Sequence, residues 1–335
     1  MKLWSATSAL PLDALVERFT VGRDRLLDLE LARYDVIGSL AHGEMLRDVG
    51  LISDEEWGAL DGALQAIGRE IEEGAFVIDE EFEDVHSKIE AELIARVGEA
   101  GKKIHTARSR NDQVLVDLHL WGRDAVRSVA DAVGDLFSSL IERSAAHADA
   151  RMPGFTHTQI AMPSSFGLFF GAYAELLVDD VSMLAAAYRT ADRNPLGSAA
   201  GYGSSFPIDR ERTTELLRFR TQRFNAMGAG LSRGKLEWII ASALASVAST
   251  LGRFAGDVVL YTSGPFSLLD LAKDLATGSS IMPHKKNPDL FELVRARLSG
   301  LGPVTCARLG CEVESGRAAV DAAVRAVETE GYAQR

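Results

Sequence analysis

Apolar residues in this chain recur at helical spacing for most of its length. Between residues 235 and 263 they fall at Leu236, Ile239, Ile240, Leu244, Val247, Leu251, Phe254, Val258 and Val259. Steps of three and four place them on one stripe of a helix. At 1.5 Å per residue such a helix runs roughly 40 Å. A second stripe, Leu118, Trp121, Ala125, Val129, Val133, Leu136 and Leu140, predicts a helix over about 112–148, and a third helix follows over about 164–193. Strand-like alternation is nearly absent. Small residues inside these helices, among them Gly167, Gly171, Ala174, Ala241 and Ala248, permit close approach of neighbouring helices. The pattern predicts an all-α fold, an elongated central bundle of long helices whose remaining apolar faces meet another subunit.

Residues 1–104 read differently, as shorter helices broken at Gly50, Gly74, Gly98 and Gly101. They predict a small N-terminal helical domain. Ser53 followed by Glu56 is a capping-box start, and 81–96 reads as an acidic amphipathic helix.

Composition narrows the function classes. The 36 basic residues stand against 48 acidic ones, a net charge of −12, which argues against general binding to nucleic acid or an anionic membrane. Any anion site is therefore local. The two cysteines, Cys306 and Cys311, provide neither a disulfide framework nor a four-cysteine zinc site, which suits a reducing cytoplasm. Asp13 and Glu17 interrupt the N-terminal segment, so it does not read as a secretory signal. The apolar stretch 166–178 is broken by Glu175 and too short to span a bilayer. A soluble, cytoplasmic protein is the expectation.

Three segments concentrate groups able to do chemistry. Residues 278–288, GSSIMPHKKNP, set hydroxyls, lysines and an asparagine between Gly278 and Pro288. Glycine permits close backbone approach, proline stops helix formation, and Lys285, Lys286 and Asn287 are donors for a carboxylate. Residues 101–113, GKKIHTARSRNDQ, carry Lys102, Lys103, Arg108 and Arg110 against Asp112 immediately before a long helix, where free backbone N–H groups favour an anion. Residues 152–159, MPGFTHTQ, put His157 on a constrained turn between two long helices. Its ordinary pKa lets it move protons at neutral pH. Each segment also has a plain structural reading, as a solvated linker, an N-cap loop and a structural histidine. Metal is a poor explanation, because the histidines are scattered and none pairs with a glutamate at zinc-binding helical spacing. His42, His86, His119 and His147 read as surface or core, with His86, in EDVHSK, the one to watch.

Taken together, GSSIMPHKKNP, HTARSRNDQ and MPGFTHTQ resemble the three signature regions of the fumarase/aspartase superfamily. RSRNDQ, with NPLGSAAGYG at 194–203, is similar to the argininosuccinate lyase branch. The resemblance runs from Met1 to about Arg297.

The resemblance implies a homotetramer around a central helical bundle, with each active site assembled from three subunits. It implies cofactor-free β-elimination of argininosuccinate to L-arginine and fumarate in arginine biosynthesis. Carried over by position, Ser279 and His157 are the two proton-transfer candidates, and either can take the carbon proton. Glu292 matches the carboxylate that pairs with the histidine. Lys285 and Asn287 match the donors to the charge-accumulating carboxylate. Ser109, Arg110, Asn111 and Thr156 match residues that hold the substrate, and Asp24 borders the site. The implied division is 1–104 for the small domain, 105–300 for the bundle and 301–335 for a divergent tail. In that tail the family's C-terminal domain, with a tyrosine, a glutamine and a lysine that contact substrate, has no counterpart. Two other readings follow: a catalytically impaired homologue with a structural role, and a related fumarate-releasing lyase with another substrate.

Overall fold

The computed structural model describes residues 24–272, 275–278, 280–282 and 284–298, and in that range the chain is mostly helical. In chain order the elements are α1 (Asp24–Leu27), a 3-10 turn (Asp28–Leu31), α2 (Ala32–Asp48), α3 (Asp54–Glu72), α4 (Val85–Val97), α5 (Glu99–Lys103), α6 (Arg110–Ala146), β1 (Arg151–Thr156), β2 (Gln159–Ser165), α7 (Phe166–Ala191), β3 (Arg193–Asn194), α8 (Arg210–Leu216), β4 (Thr221–Gln222), α9 (Ala226–Gly230), α10 (Lys235–Thr262) and α11 (Asp289–Leu298). The three long helices predicted from periodicity are α6, α7 and α10. The divergent tail, with Cys306 and Cys311, lies outside the described residues, as do Ser279 and the side chain of Asp24.

The chain forms two compact units. One comprises the described residues up to Arg123 together with Ala191–Lys235; the other comprises Asp124–Thr190 and the described residues from Leu236 onward.

In the first unit, α2, α3 and α4 bury Val36, Met45, Leu46, Leu60, Leu64, Ile67, Val85, Ile89 and Leu93 in a common core. The start of α3 is the predicted capping box: Ser53 Oγ accepts from Glu56 N at 3.2 Å, and Glu56 Oε2 accepts from Ser53 N at 3.0 Å. The acidic helix expected over 81–96 is α4, and Asp84 caps it by accepting from Ser87 N at 2.8 Å. Across the other face of α2, Tyr34 and Ala41 pack with Val116 and Leu120 of α6 and with Leu196, Leu217 and Phe219.

In the second unit the periodic stripe of α10 is its buried face: Leu236, Ile240, Leu244, Val247, Leu251, Phe254 and Val258 are buried. By length and composition α10 could cross a membrane, but its stripe is packed inside the unit, as in a core helix. Gly167 begins α7 so close to the end of α6 that a Cβ there would lie 2.7 Å from Ala148 Cα and from Ser144 O. Ser144 Oγ donates to Gly167 O at 2.7 Å and holds the junction. An aromatic cluster of Phe169, Tyr173, Phe254, Tyr261 and Phe291 joins α7, α10 and α11.

Strand is scarce among the described residues, as the sequence reading expects, and what there is was not located by it. Residues 151–165 form an antiparallel hairpin, β1–β2, with a register shift between Gly154 and Phe155, and β3 and β4 form a two-residue parallel pair. Two prolines and a glycine hid the period-two alternation of the hairpin, because Pro153, Gly154 and Pro163 depress strand propensity.

Candidate active site

Five of the predicted site residues, Thr156, His157, Lys285, Asn287 and Glu292, belong to the second unit. Thr156 and His157 lie at the tip of the β1–β2 hairpin, and His157 (φ 51°) and Thr158 (φ 60°) form its two-residue turn with both φ positive. Such a turn matches the right-handed twist of the strands. It also costs strain at Thr158, because a β-branched side chain rarely adopts that conformation. Phe155 anchors the tip, packing edge-on to Phe266 at 5.1 Å between ring centroids and against Tyr261 at 6.1 Å. His157 is thus exposed on a turn that is fixed from beneath.

The described residues at the two ends of the 278–288 segment are pinned. Thr277 N donates to Asn287 O at 3.1 Å and Asn287 N to Thr277 O at 2.9 Å. Thr277 Oγ1 donates to Asp289 Oδ2, and Lys286 Nζ donates to Asp270 Oδ1 at 3.0 Å. Pro288 then ends the loop, and α11 starts at Asp289 with Glu292 in its first turn. Lys285 and Glu292 are exposed. Within one chain the His157 ring, the Lys285 ammonium and the Glu292 carboxylate make no hydrogen bond or ion pair with described residues.

Ser109, Arg110 and Asn111 belong to the first unit, at the N-terminus of α6. Ser109 Oγ accepts from Asn111 N at 3.3 Å, and Ser109 N donates to Asp112 Oδ1 at 2.9 Å. This is capping-box logic with an aspartate in the third position. The other oxygen of Asp112 accepts from Gly197 N at 2.9 Å and Ala199 N at 2.8 Å. One fully buried carboxylate therefore ties the basic loop to the PLGSAAGYG loop. Burial pushes the Asp112 carboxyl above its ordinary range, while the amide donors from Ser109, Ala199 and Gly197 and the Arg108 charge pull it back. The second loop reaches Asp112 by left-handed backbone at Gly197 (φ 85°) and Ala199 (φ 49°). Only glycine fits at 197, since a Cβ would meet Arg210 Cγ at 2.7 Å.

Arg110 is not a free cation. Its guanidinium donates to Asp84 Oδ2 at 2.6 Å and to Ser87 Oγ at 2.7 Å, both at the start of α4. Asn111 is exposed and lines a cavity of about 290 Å³ with Leu115, Tyr202, Met227, Leu231 and Arg233. Sequence reading missed the Asp112 clamp and this cavity. The aspartate stood inside the RSRNDQ motif, and only the fold shows that its partners are backbone amides 85 and 87 residues away.

His86, the histidine left open above, is buried with Asp35 and Asp117. His42 and His119 are also buried, and burial lowers the pKa of each to about 3. These two are neutral core residues.

The model of a lyase family matches residues 8–300. The chain is 53% identical over 300 residues to the argininosuccinate lyase of Bacteroides thetaiotaomicron, covering 90% of this chain and 67% of that protein. It is 42% identical over 294 residues to that of Xanthomonas oryzae pv. oryzae, covering 88% and 68%. Among solved structures it resembles an EDDS lyase in complex with formate, with a TM-score of 0.82, 26% identity, and coverage of 97% of this chain and 67% of that one. A class II fumarase from Schistosoma mansoni shares the fold, with a TM-score of 0.79 at 18% identity over 96% of this chain and 82% of that one. With its long helices, its capped basic loop and its histidine-tipped hairpin, the chain belongs to the argininosuccinate lyase family.

Proposed function

We propose that the protein is an argininosuccinate lyase, releasing L-arginine and fumarate from argininosuccinate by cofactor-free β-elimination in cytoplasmic arginine biosynthesis. The observation that carries this is the 53% identity over 300 residues to proteins of that name, which spans all three segments able to do chemistry.

The reaction removes a weakly acidic proton from the carbon next to a carboxylate. The electron pair left behind moves onto that carboxylate, then forms the C=C bond of fumarate as the C–N bond breaks and its electrons leave with the guanidinium nitrogen. A base, an acid and donors for the doubly charged carboxylate are needed. Ser279 and His157 are the proton-transfer pair. Glu292 orients the imidazole, Lys285 and Asn287 hold the developing charge, and Ser109, Arg110, Asn111 and Thr156 hold the substrate. Lys285 and His157 are exposed and their side chains make no hydrogen bond or ion pair among the described residues, which supports a site completed by other copies. So do the large apolar side chains exposed along α7, Leu168, Val178, Val181 and Met183. The proposed assembly is a homotetramer with composite sites. The division into 1–104, 105–300 and 301–335 is proposed on the family pattern alone.

The test is product identification. The protein incubated with argininosuccinate is expected to yield arginine and fumarate in equal amounts. Fumarate from another succinyl-amine, with none from argininosuccinate, would assign a different amine pocket.

A further inference from the structure

The first turn of α4 faces two ways. On one side Asp84 and Ser87 hold the Arg110 guanidinium at 2.6 and 2.7 Å. On the other, His86 Nδ1 lies 3.4 Å from Asp35 Oδ1 of α2 and 3.7 Å from Asp117 Oδ2 of α6. His86, Asp35 and Asp117 are 5%, 1% and 0% exposed. Among the described residues neither oxygen of Asp117, nor Asp35 Oδ2, nor His86 Nδ1 has a hydrogen-bond partner, so the imidazole and the two carboxylates meet as an ion cluster and not through a formed hydrogen bond. A carboxylate buried without donors is costly unless a charge compensates it. Burial and the neighbouring Asp35 push the Asp117 carboxyl well above its ordinary range, whereas, against burial, the His86 imidazole 3.4 Å away holds Asp35 below its own, so the imidazolium compensates Asp35 first. Burial works against it, but Asp35, Asp117 and Asp84 outweigh burial and raise the His86 pKa to about 9.

The surrounding groups agree with an internal ion network. Gln113 Nε2 donates to Asp35 Oδ1 at 2.6 Å, and buried Arg108 donates to Ser39 Oγ at 3.0 Å. Glu90 and His105 line a small cavity beside His86, and Asp28 acts on Asp117. Two carboxylates and an imidazole within 4.8 Å would also suit a divalent cation, but Arg108 and the imidazolium already bring positive charge to this space. Asp117 and Arg110 are seven residues apart on α6, so they share a face. The first turn of α4 is therefore tied to α6 at two rungs, one buried and one at the candidate site.

We propose that His86 is a positioning residue for Arg110. Its charge, held between Asp35 and Asp117, sets the first turn of α4 and thereby the direction in which Asp84 and Ser87 aim the Arg110 guanidinium at an anionic substrate. This rests on the reading of Arg110 as a substrate-holding group. Because Arg110 holds rather than reacts, the loss falls on KM more than on kcat.

A double-mutant cycle tests it, comparing the unmodified protein, His86→Gln, Arg110→Ala and the double variant in steady-state turnover of argininosuccinate. His86→Gln is expected to raise KM about tenfold with kcat within about threefold, and to add nothing further when Arg110 is already alanine. An unchanged KM, or effects that simply multiply in the double variant, would overturn the proposal. If His86→Gln does not fold, Asp35→Asn replaces it. Losing that charge lowers the His86 pKa, so KM must begin to climb at a lower pH than in the unmodified protein; an unmoved pH profile overturns the proposal. If the unmodified protein does not turn over argininosuccinate, the proposed function fails separately. The cycle is then read by equilibrium unfolding, where non-additive changes support the His86–Arg110 link and additive ones refute it.

Discussion

Asp112 and Ala199 are 87 residues apart in sequence, yet the carboxylate of one accepts the backbone N–H of the other at 2.8 Å. Through this bond and its companion to Gly197, the N-terminus that carries Ser109, Arg110 and Asn111 is built as one piece with the PLGSAAGYG loop. An amide at position 112 keeps the size but turns one acceptor into a donor facing N–H groups. Asp112→Asn is expected to lower the unfolding free energy by about 1–3 kcal/mol, the range for leaving buried backbone donors without an acceptor. Urea denaturation measures it, and an unchanged midpoint would mean that the clamp contributes nothing.

The buried imidazolium predicts a pH dependence of stability with a definite sign. The His86 pKa is raised to about 9 in the folded chain from an ordinary 6.5. Its contribution is therefore fully present below pH 6.5 and is lost as pH rises through about 9. Across that window the slope reaches at most about 1.4 kcal/mol per pH unit for one proton. Urea midpoints measured across this window should fall with rising pH, and His86→Gln should flatten the fall.

The hairpin tip stores strain at Thr158, with φ of 60°. Thr158→Gly relieves it and is expected to raise the unfolding free energy by about 1 kcal/mol, since glycine adopts the left-handed region freely. Calorimetry checks this. A fall in stability would show that the threonine side chain holds the turn in a way that outweighs its backbone cost.

How legible this was from the chain depended on the range of the interaction. The stripe from Leu236 to Val258 and the Ser53–Glu56 box involve residues a few positions apart, so spacing alone announced α10 and the start of α3. The hairpin at 151–165 was missed because prolines and a glycine interrupt its alternation, although the turn itself was legible from the breakers around His157. The role of His86 was undecidable from EDVHSK, because its partners Asp35 and Asp117 lie 51 positions before it and 31 after it. Residues such as Lys285 and Glu292 were legible as motif positions, but neither side chain makes a hydrogen bond or ion pair among the described residues.

For the proton-transfer pair, Ser279→Ala and His157→Asn are each expected to lower turnover by roughly 10²–10⁴, the range for a lost general acid or base, with little change in unfolding midpoint. Near-full turnover by either variant would remove that residue from the proposed chemistry.

The most direct measurement of the central claim is the initial rate of fumarate formation, followed by its ultraviolet absorbance, with argininosuccinate, adenylosuccinate and aspartate offered separately and no metal added. The account predicts a steady rise with argininosuccinate alone. A flat trace with argininosuccinate beside a rise with either of the others would contradict it.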